Sequence, residues 1–365
     1  MAWTRKLPSG KWQGYYRDPT RKVRRASEDG TYFRKDDAEK AAEAQEKKVK
    51  KQEWTDPELA RITVEQLAEQ WFEGARPMLK AKTVASYESL LSSRILPTFG
   101  SRELRRIRPS DVTAWVGAMV ADGLSPSRIR QAHVVLRLVL DNAVRDSYLI
   151  RNPASGVKLP RIEHTEAPFF EPRVVDAIVD TLGSPYDLLT AVMGVCGLRW
   201  GEAVALRRRH ADLLRRRLRV EESLAEVSGY FVWGPTKSHT RRSVPLSPGL
   251  VAGIASHLEG IDADPQALLF TGPKGGPLRY RYFLMKQWRA ALESLELPPV
   301  GVHVLRHSAA ARIVGAGGSA KTLQTVLGHR SAAFSLTVYG HLFDADLDAL
   351  ADKLDTSCEG KVQSS

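Results

Sequence analysis

The chain has 365 residues, 43% of them apolar and 26% charged, with a formal charge of +12 and a pI near 9.7. Cores rarely grow beyond roughly 200 residues before chains split, no uncharged apolar run is long enough to span a bilayer, and Cys196 and Cys358 are the only thiols. Several domains and a cytoplasmic, non-secreted protein are therefore expected, with no disulfide framework or cysteine zinc site, and the Lys and Arg excess points to a polyanionic partner, nucleic acid first.

Half of that excess lies at the front, where residues 1–54 hold 15 Lys/Arg against 9 Asp/Glu. Strands are expected at Lys11–Arg17, Val23–Ala26 and Thr31–Phe33. A helix from Lys35 to Gln52 follows, with Asp36 and Asp37 in the first turn, where the dipole favours acids. A three-stranded sheet on one helix, with aromatic side chains among basic ones, suits a module over residues 1–56 that reads a DNA groove. Its candidate contacts are Lys11, Trp12, Tyr16, Arg24 and Arg25.

Trp54-Thr55-Asp56-Pro57 reads as a linker. Residues 62–158 then form an expected helical domain. Its first helix starts at Thr63, with Val64, Leu67, Ala68, Trp71 and Phe72 at spacings of three and four. The others run from Ala81 to Ile95, from Ser110 to Gly123 and from Ser125 to Asp146. Arg102, Arg105, Arg106, Arg108, Arg128, Arg130 and Arg137 lie on exposed faces, and Arg128 and Arg130 are the candidate phosphate contacts. From Arg151 to Pro168 the chain reads as a second linker.

Residues 165–355 mix helix and strand, and 356–365 form a polar tail. Helices are expected at Pro172–Leu182, Asp187–Gly194, after Gly197, and at Gly249–His257, Tyr280–Leu295, His303–Ala316, Ala320–Leu327 and Asp344–Leu354. Short strands are expected at Arg217–Glu221, Tyr230–Trp233 and Arg242–Pro245. The fold class is thus multidomain and mainly α with small sheets, ending in a mixed α+β domain.

Four stretches of this last region carry chemistry: Gly197-Leu198-Arg199-Trp200-Gly201-Glu202, Thr236-Lys237-Ser238, His303-Val304-Leu305-Arg306-His307, and Leu327-Gly328-His329 ahead of Tyr339. Alone, each residue also fits a plainer role: Lys237 a solvated lysine, His329 a turn histidine, Tyr339 a half-buried core tyrosine. His303 and Arg306, three apart on a helix, share a face. On that reading His307 points elsewhere.

In order and spacing, the set Arg, Lys, His-x-x-Arg, Leu-Gly-His and a Tyr ten residues later resembles the tyrosine recombinases, the phage integrase family. The resemblance covers Phe169 to Leu354. The two preceding regions resemble, more loosely, the family's SAM-like core-binding and arm-binding domains. One departure is Val304, where family members commonly have an acidic residue.

The resemblance implies a site-specific recombinase, an integrase of a phage or other mobile element, that cleaves and rejoins DNA through a 3′-phosphotyrosyl bond. Tyr339 would be the nucleophile, Arg199 and Arg306 would bind the non-bridging oxygens, and His329 would add a donor. His303 would be the base, Lys237 the general acid, and Glu202 would orient Arg199. No cofactor or metal is implied: the sequence has no Gly-x-x-x-x-Gly-Lys-Ser/Thr loop and no evident carboxylate cluster. Attachment-site DNA, a homotetramer on it, and directionality and DNA-bending proteins are the implied partners. A chromosome-dimer-resolving recombinase and a regulator that keeps the fold without the chemistry are the alternatives; the basic first module weighs against the former, the complete catalytic set against the latter.

Overall fold

A computed structural model describes residues 2–27, 30–51, 54, 61–162, 168–236, 241–329 and 331–343. The chain divides into two compact units, residues 1–163 and 164–365.

The first unit opens with an antiparallel sheet of β1 (Trp3–Lys6), β2 (Trp12–Arg17) and β3 (Val23–Arg25), in that order, packed on α1 (Lys35–Lys50). The sequence missed β1, and the expected third strand is only an isolated bridge between Trp12 and Tyr32. Cross-strand pairing fixes the faces, because directly opposed residues share one. Tyr16 pairs with Arg24, and both turn away from the open face. Tyr16 is 2% exposed, and its hydroxyl accepts from Trp54 Nε1 at 2.7 Å. Arg24 is spent on Asp18, Nε to Oδ2 at 3.1 Å. These two are corrections: both are scaffold, not open DNA contacts. The other face carries Trp3 stacked on Tyr15, Arg17 over the Trp3 ring, and exposed Arg5 and Arg25. Trp12 is half-buried with Lys6 over its ring, and Lys11 sits over Phe33.

The helices that follow are α2 (Val64–Ala75), α3 (Ala81–Leu90), α4 (Leu96–Phe99), α5 (Pro109–Ala121) and α6 (Pro126–Arg145). The Thr63 hydroxyl and the Gln66 side chain cap α2 reciprocally, so the chain turns helical where the sequence indicates. A π turn at Leu91–Ile95 joins α3 to α4. Leu67, Ile95, Phe99, Leu136 and Leu140 fill the core, the apolar stripe each helix must bury. Arg130 donates to the Pro160 carbonyl at 2.9 Å and so ties down the following segment, while Arg128 reaches Gln131 at 3.3 Å.

The second unit contains α7 (Pro172–Thr181), α8 (Tyr186–Cys196) and α9 (Trp200–Ala203), then β4 (Ala211–Asp212), β5 (Arg217–Val220), β6 (Glu222–Val227), β7 (Tyr230–Pro235) and β8 (Arg242–Pro245). Strands β4, β5 and β8 make one antiparallel sheet, and β6–β7 form a hairpin. α10 (Pro248–Glu259), α11 (Tyr280–Phe283), α12 (Arg289–Ser294), α13 (Val304–Gly315), α14 (Ala320–Leu327) and α15 (Ala332–Tyr339) complete it. α8 and α13 pack together through a core that includes Leu189, Val192, Leu305 and Trp288. The sequence missed β4, β6 and α15. Val304 is buried in this core, so the departure from the family pattern is an apolar packing residue.

Candidate active site

Two helices end close together, and the site is built on their ends. α8 stops at Gly197 and α14 at Gly328, both left-handed, with φ of 66° and 67°. A side chain there is strained by conformation and crowded by neighbours: a Cβ on Gly197 would stand 2.3 Å from Leu327 Cδ2, and one on Gly328 would stand 3.0 Å from Arg242 Nη1. The Gly-Leu-Arg and Leu-Gly-His stretches are therefore helix stops that turn the chain into the site.

Arg306, on α13, bridges these stops. It is 2% exposed, donating from Nη1 to the Gly197 carbonyl at 2.6 Å and from Nη2 to the Leu327 carbonyl at 2.7 Å. The guanidinium thus sits at the negative ends of two helix dipoles, which offset part of the cost of burying it. Burial, and then the neighbouring Arg199, pull its pKa down to about 9, which leaves it charged at neutral pH.

Arg199 follows Gly197 and caps α9. Glu202, one turn on and 1% exposed, accepts from the Arg199 backbone N–H at 3.0 Å and from its Nη1 at 2.9 Å. The same carboxylate accepts from Arg242 Nη1 at 3.1 Å and Nη2 at 2.7 Å, while Arg242 Nε donates to the Val326 carbonyl at 2.8 Å. Burial alone would raise the Glu202 pKa; the Arg242 and Arg199 contacts outweigh it and bring it to about 2. The sequence missed Arg242. Its signal was an Arg at an inward position of a strand, two residues before Val244 on the same face.

Tyr339 closes α15 and is 3% exposed. Burial raises its pKa, against the pull of Arg306 and Arg199. Its ring stacks on His329, with centroids 6.0 Å apart and planes 10° from parallel. His329 Nδ1 shares a hydrogen bond with Ser335 Oγ at 2.8 Å. Burial, with the nearby arginines, lowers the His329 pKa to about 4, so the ring is neutral at pH 7.

The hydroxyl of Tyr339 meets His307, at 2.9 Å from Nδ1. This corrects the sequence-based expectation that His307 points elsewhere. Positions i+3 and i+4 both lie on the face of residue i, so His303, Arg306 and His307 belong together. His303 is exposed and meets the His307 ring edge-on, with centroids 5.0 Å apart. Lys237 lies outside the described residues, as does the expected helix at Asp344–Leu354. Leu342 and Phe343 pack against the cluster around Tyr339.

Two family descriptions match the chain: the phage integrase family over residues 168–346, and the phage integrase N-terminal SAM-like domain over residues 63–120. The prophage phiRv2 integrase of Mycobacterium tuberculosis is 28% identical over 363 residues, spanning 96% of this chain and 94% of its own. The integrase of Mycobacterium phage D29 is 27% identical over 319 residues, spanning 84% and 83%. The Tn1549 transposon integrase, solved in complex with transposon right end DNA, superposes with a TM-score of 0.68 at 20% identity, covering 80% of this chain and 100% of that one. That likeness is one of fold. The class these findings define is the DNA strand transferase with a tyrosine nucleophile. Within it, the chain belongs to the phage integrase family, the tyrosine recombinases.

Proposed function

We propose that this protein is the integrase of a phage or other mobile element, and that Tyr339 attacks the scissile phosphate of an attachment site to form a 3′-phosphotyrosyl bond. The observation that carries this reading is the convergence of Arg199, Arg306 and His329 on the surroundings of one buried phenol. As the Tyr339 oxygen bonds to phosphorus, the bond to the 5′-oxygen breaks. Charge gathering on the non-bridging oxygens is met by two guanidiniums, whose paired donors match them better than an ammonium would.

Arg306 spends two N–H groups on carbonyls, which aims the rest of the fork. Arg199, one quarter exposed, is steadied by Glu202 and faces incoming DNA. His329 donates as a neutral imidazole. Lys237 protonates the leaving 5′-oxygen, the role its place in the motif series suggests. The phosphotyrosyl diester conserves the bond energy, so a 5′-hydroxyl reverses the attack without ATP.

The basic sheet face of the first module supports contact with a second stretch of DNA, and a homotetramer assembled on paired sites, with directionality and DNA-bending proteins, completes the reaction. The protein works in the cytoplasm, where the DNA is; among the described residues no helix is long and apolar enough to cross a membrane. The test is a nicked attachment-site duplex incubated with the full chain and resolved on a denaturing gel. A DNA adduct with the wild type that Tyr339→Phe abolishes and a chelator leaves intact is expected. No adduct, or an undiminished one with Tyr339→Phe, refutes the assignment.

A further inference from the structure

We infer that His307 is a catalytic residue: its Nδ1 accepts the Tyr339 proton as the phenol attacks, and returns it when the strand is rejoined. This rests on the proposed strand-transfer reaction and assigns one of its two proton transfers.

The geometry is direct. The Tyr339 hydroxyl has one proton, and the imidazole nitrogen at 2.9 Å is His307 Nδ1. Ring centroids stand 5.6 Å apart. The phenol has to shed its proton to become a nucleophile, and a base already within hydrogen-bond reach removes the need to recruit one. Placement adds a second argument. His307 is half-buried, one turn below exposed His303, so DNA meets His303 first while His307 stays against the nucleophile.

The groups facing His307 are His303 and Arg306 from its own helix, Tyr339 from α15 and His329 from the turn after α14. Burial, and then Arg306, hold the His307 pKa below its ordinary value. At neutral pH the ring is therefore uncharged, and with its proton on Nε2 the Nδ1 lone pair is free to accept.

The proton balance closes. The Tyr339 O–H bond breaks as its oxygen bonds to phosphorus, and the proton passes to Nδ1. The P–O5′ bond breaks, and that oxygen takes a proton from the acid on the opposite side. An incoming phosphate offsets Arg306 and stabilises the imidazolium that forms. In the rejoining step each proton travels back.

The experiment uses the full-length protein and a nicked attachment-site duplex with a 5′-bridging phosphorothiolate, whose sulfur leaves without an acid, so that only nucleophile activation is read. Single-turnover adduct formation is followed against pH for the wild type, His307→Gln, His307→Ala and His303→Gln. Gln retains an acceptor for the Tyr339 hydroxyl but cannot take up its proton. The wild-type rate should fall as pH drops through the His307 titration, below the ordinary histidine range near ~6.5. His307→Gln should lose on the order of 10²-fold at neutral pH, together with the acid limb, and rise with hydroxide instead. Added imidazole should restore His307→Ala, and His303→Gln should keep the limb.

A gel shift at wild-type strength and an unchanged melting midpoint show that the His307 variants fold and bind. Wild-type cleavage and an unchanged pH profile in His307→Gln would overturn the inference, as would loss of the limb in His303→Gln alone. A wild type that forms no adduct refutes the strand-transfer reading itself, which is a different result.

Discussion

Glu202→Gln tests the electrostatic frame of the site. Glu202 accepts four hydrogen bonds, from the Arg199 backbone and Nη1 and from both terminal nitrogens of Arg242. Its pKa falls from 4.5 to about 2 although burial opposes ionisation. At about 1.4 kcal/mol per pH unit, the fold favours the carboxylate over the protonated acid by about 3 kcal/mol. A Gln keeps one acceptor but turns an amide NH2 towards donors, leaving Arg242 buried without a counter-charge; breaking a buried pair in this way costs about 3–5 kcal/mol. For a unit of this size that lowers the melting midpoint by roughly 10 °C. The folded pKa is depressed, so the contribution is complete above 4.5 and is lost as pH falls through about 2. Scanning calorimetry of the full chain should therefore show a wild-type lead that is constant above pH 5 and shrinks in acid. A variant that melts with the wild type at pH 7, or a gap that does not narrow in acid, refutes the reasoning.

Three further outcomes follow from the same geometry. Gly197→Ala and Gly328→Ala each place a side chain at a left-handed position against Leu327 or Arg242; each should destabilise the second unit by about 1–3 kcal/mol, read from urea midpoints. Arg306→Lys cannot span the Gly197 and Leu327 carbonyls with a point ammonium, and adduct formation should fall about 10²-fold or more while DNA binding persists in a gel shift. In the first module, Tyr15→Ala or Arg17→Ala should weaken DNA binding, and Arg17→Ala should reduce its salt dependence by about one counterion, whereas Tyr16→Ala should lower the melting midpoint; the opposite pairing would reverse the assignment of sheet faces.

Most helices of both units were legible because they carry an apolar stripe bounded by cap or turn residues. Thr63 opens α2, where Val64, Leu67, Ala68, Trp71 and Phe72 repeat at three and four, whereas the left-handed stops at Gly197 and Gly328 emerged from the structure. The strands were less legible. β1 is a four-residue piece, Trp3–Lys6, whose partner lies beyond a turn, and β4 is a pair, Ala211–Asp212, too short to alternate. α15 escaped because its apolar residues follow no helical face: Phe334 and Leu336 are exposed while Ser335 is fully buried against His329. Motif order pointed to the residues around Tyr339 but not to the contacts among them. Tyr16 and Tyr15 are neighbours in sequence, and only strand register decides which meets the helix and which stays open.

Arg242 and His307 went unread for a common reason: both act through a partner distant in the chain. Arg242 meets Glu202 across 40 residues, and His307 meets Tyr339 across 32. These two contacts divide the site's work. At neutral pH Arg199, Arg242 and Arg306 bring three cations and Glu202 one anion, so the cluster is short of negative charge until a phosphate arrives. Glu202 is shared between Arg199 and Arg242, which leaves each partly uncompensated, and among the described residues the hydrogen bonds of Arg306 go to neutral carbonyls. The same positive field works against protonation of His307 and His329 in the DNA-free protein, yet favours a phenolate at Tyr339. On the proposed mechanism, an arriving phosphate cancels part of that field and eases proton transfer from Tyr339 to His307 where the nucleophile has something to attack.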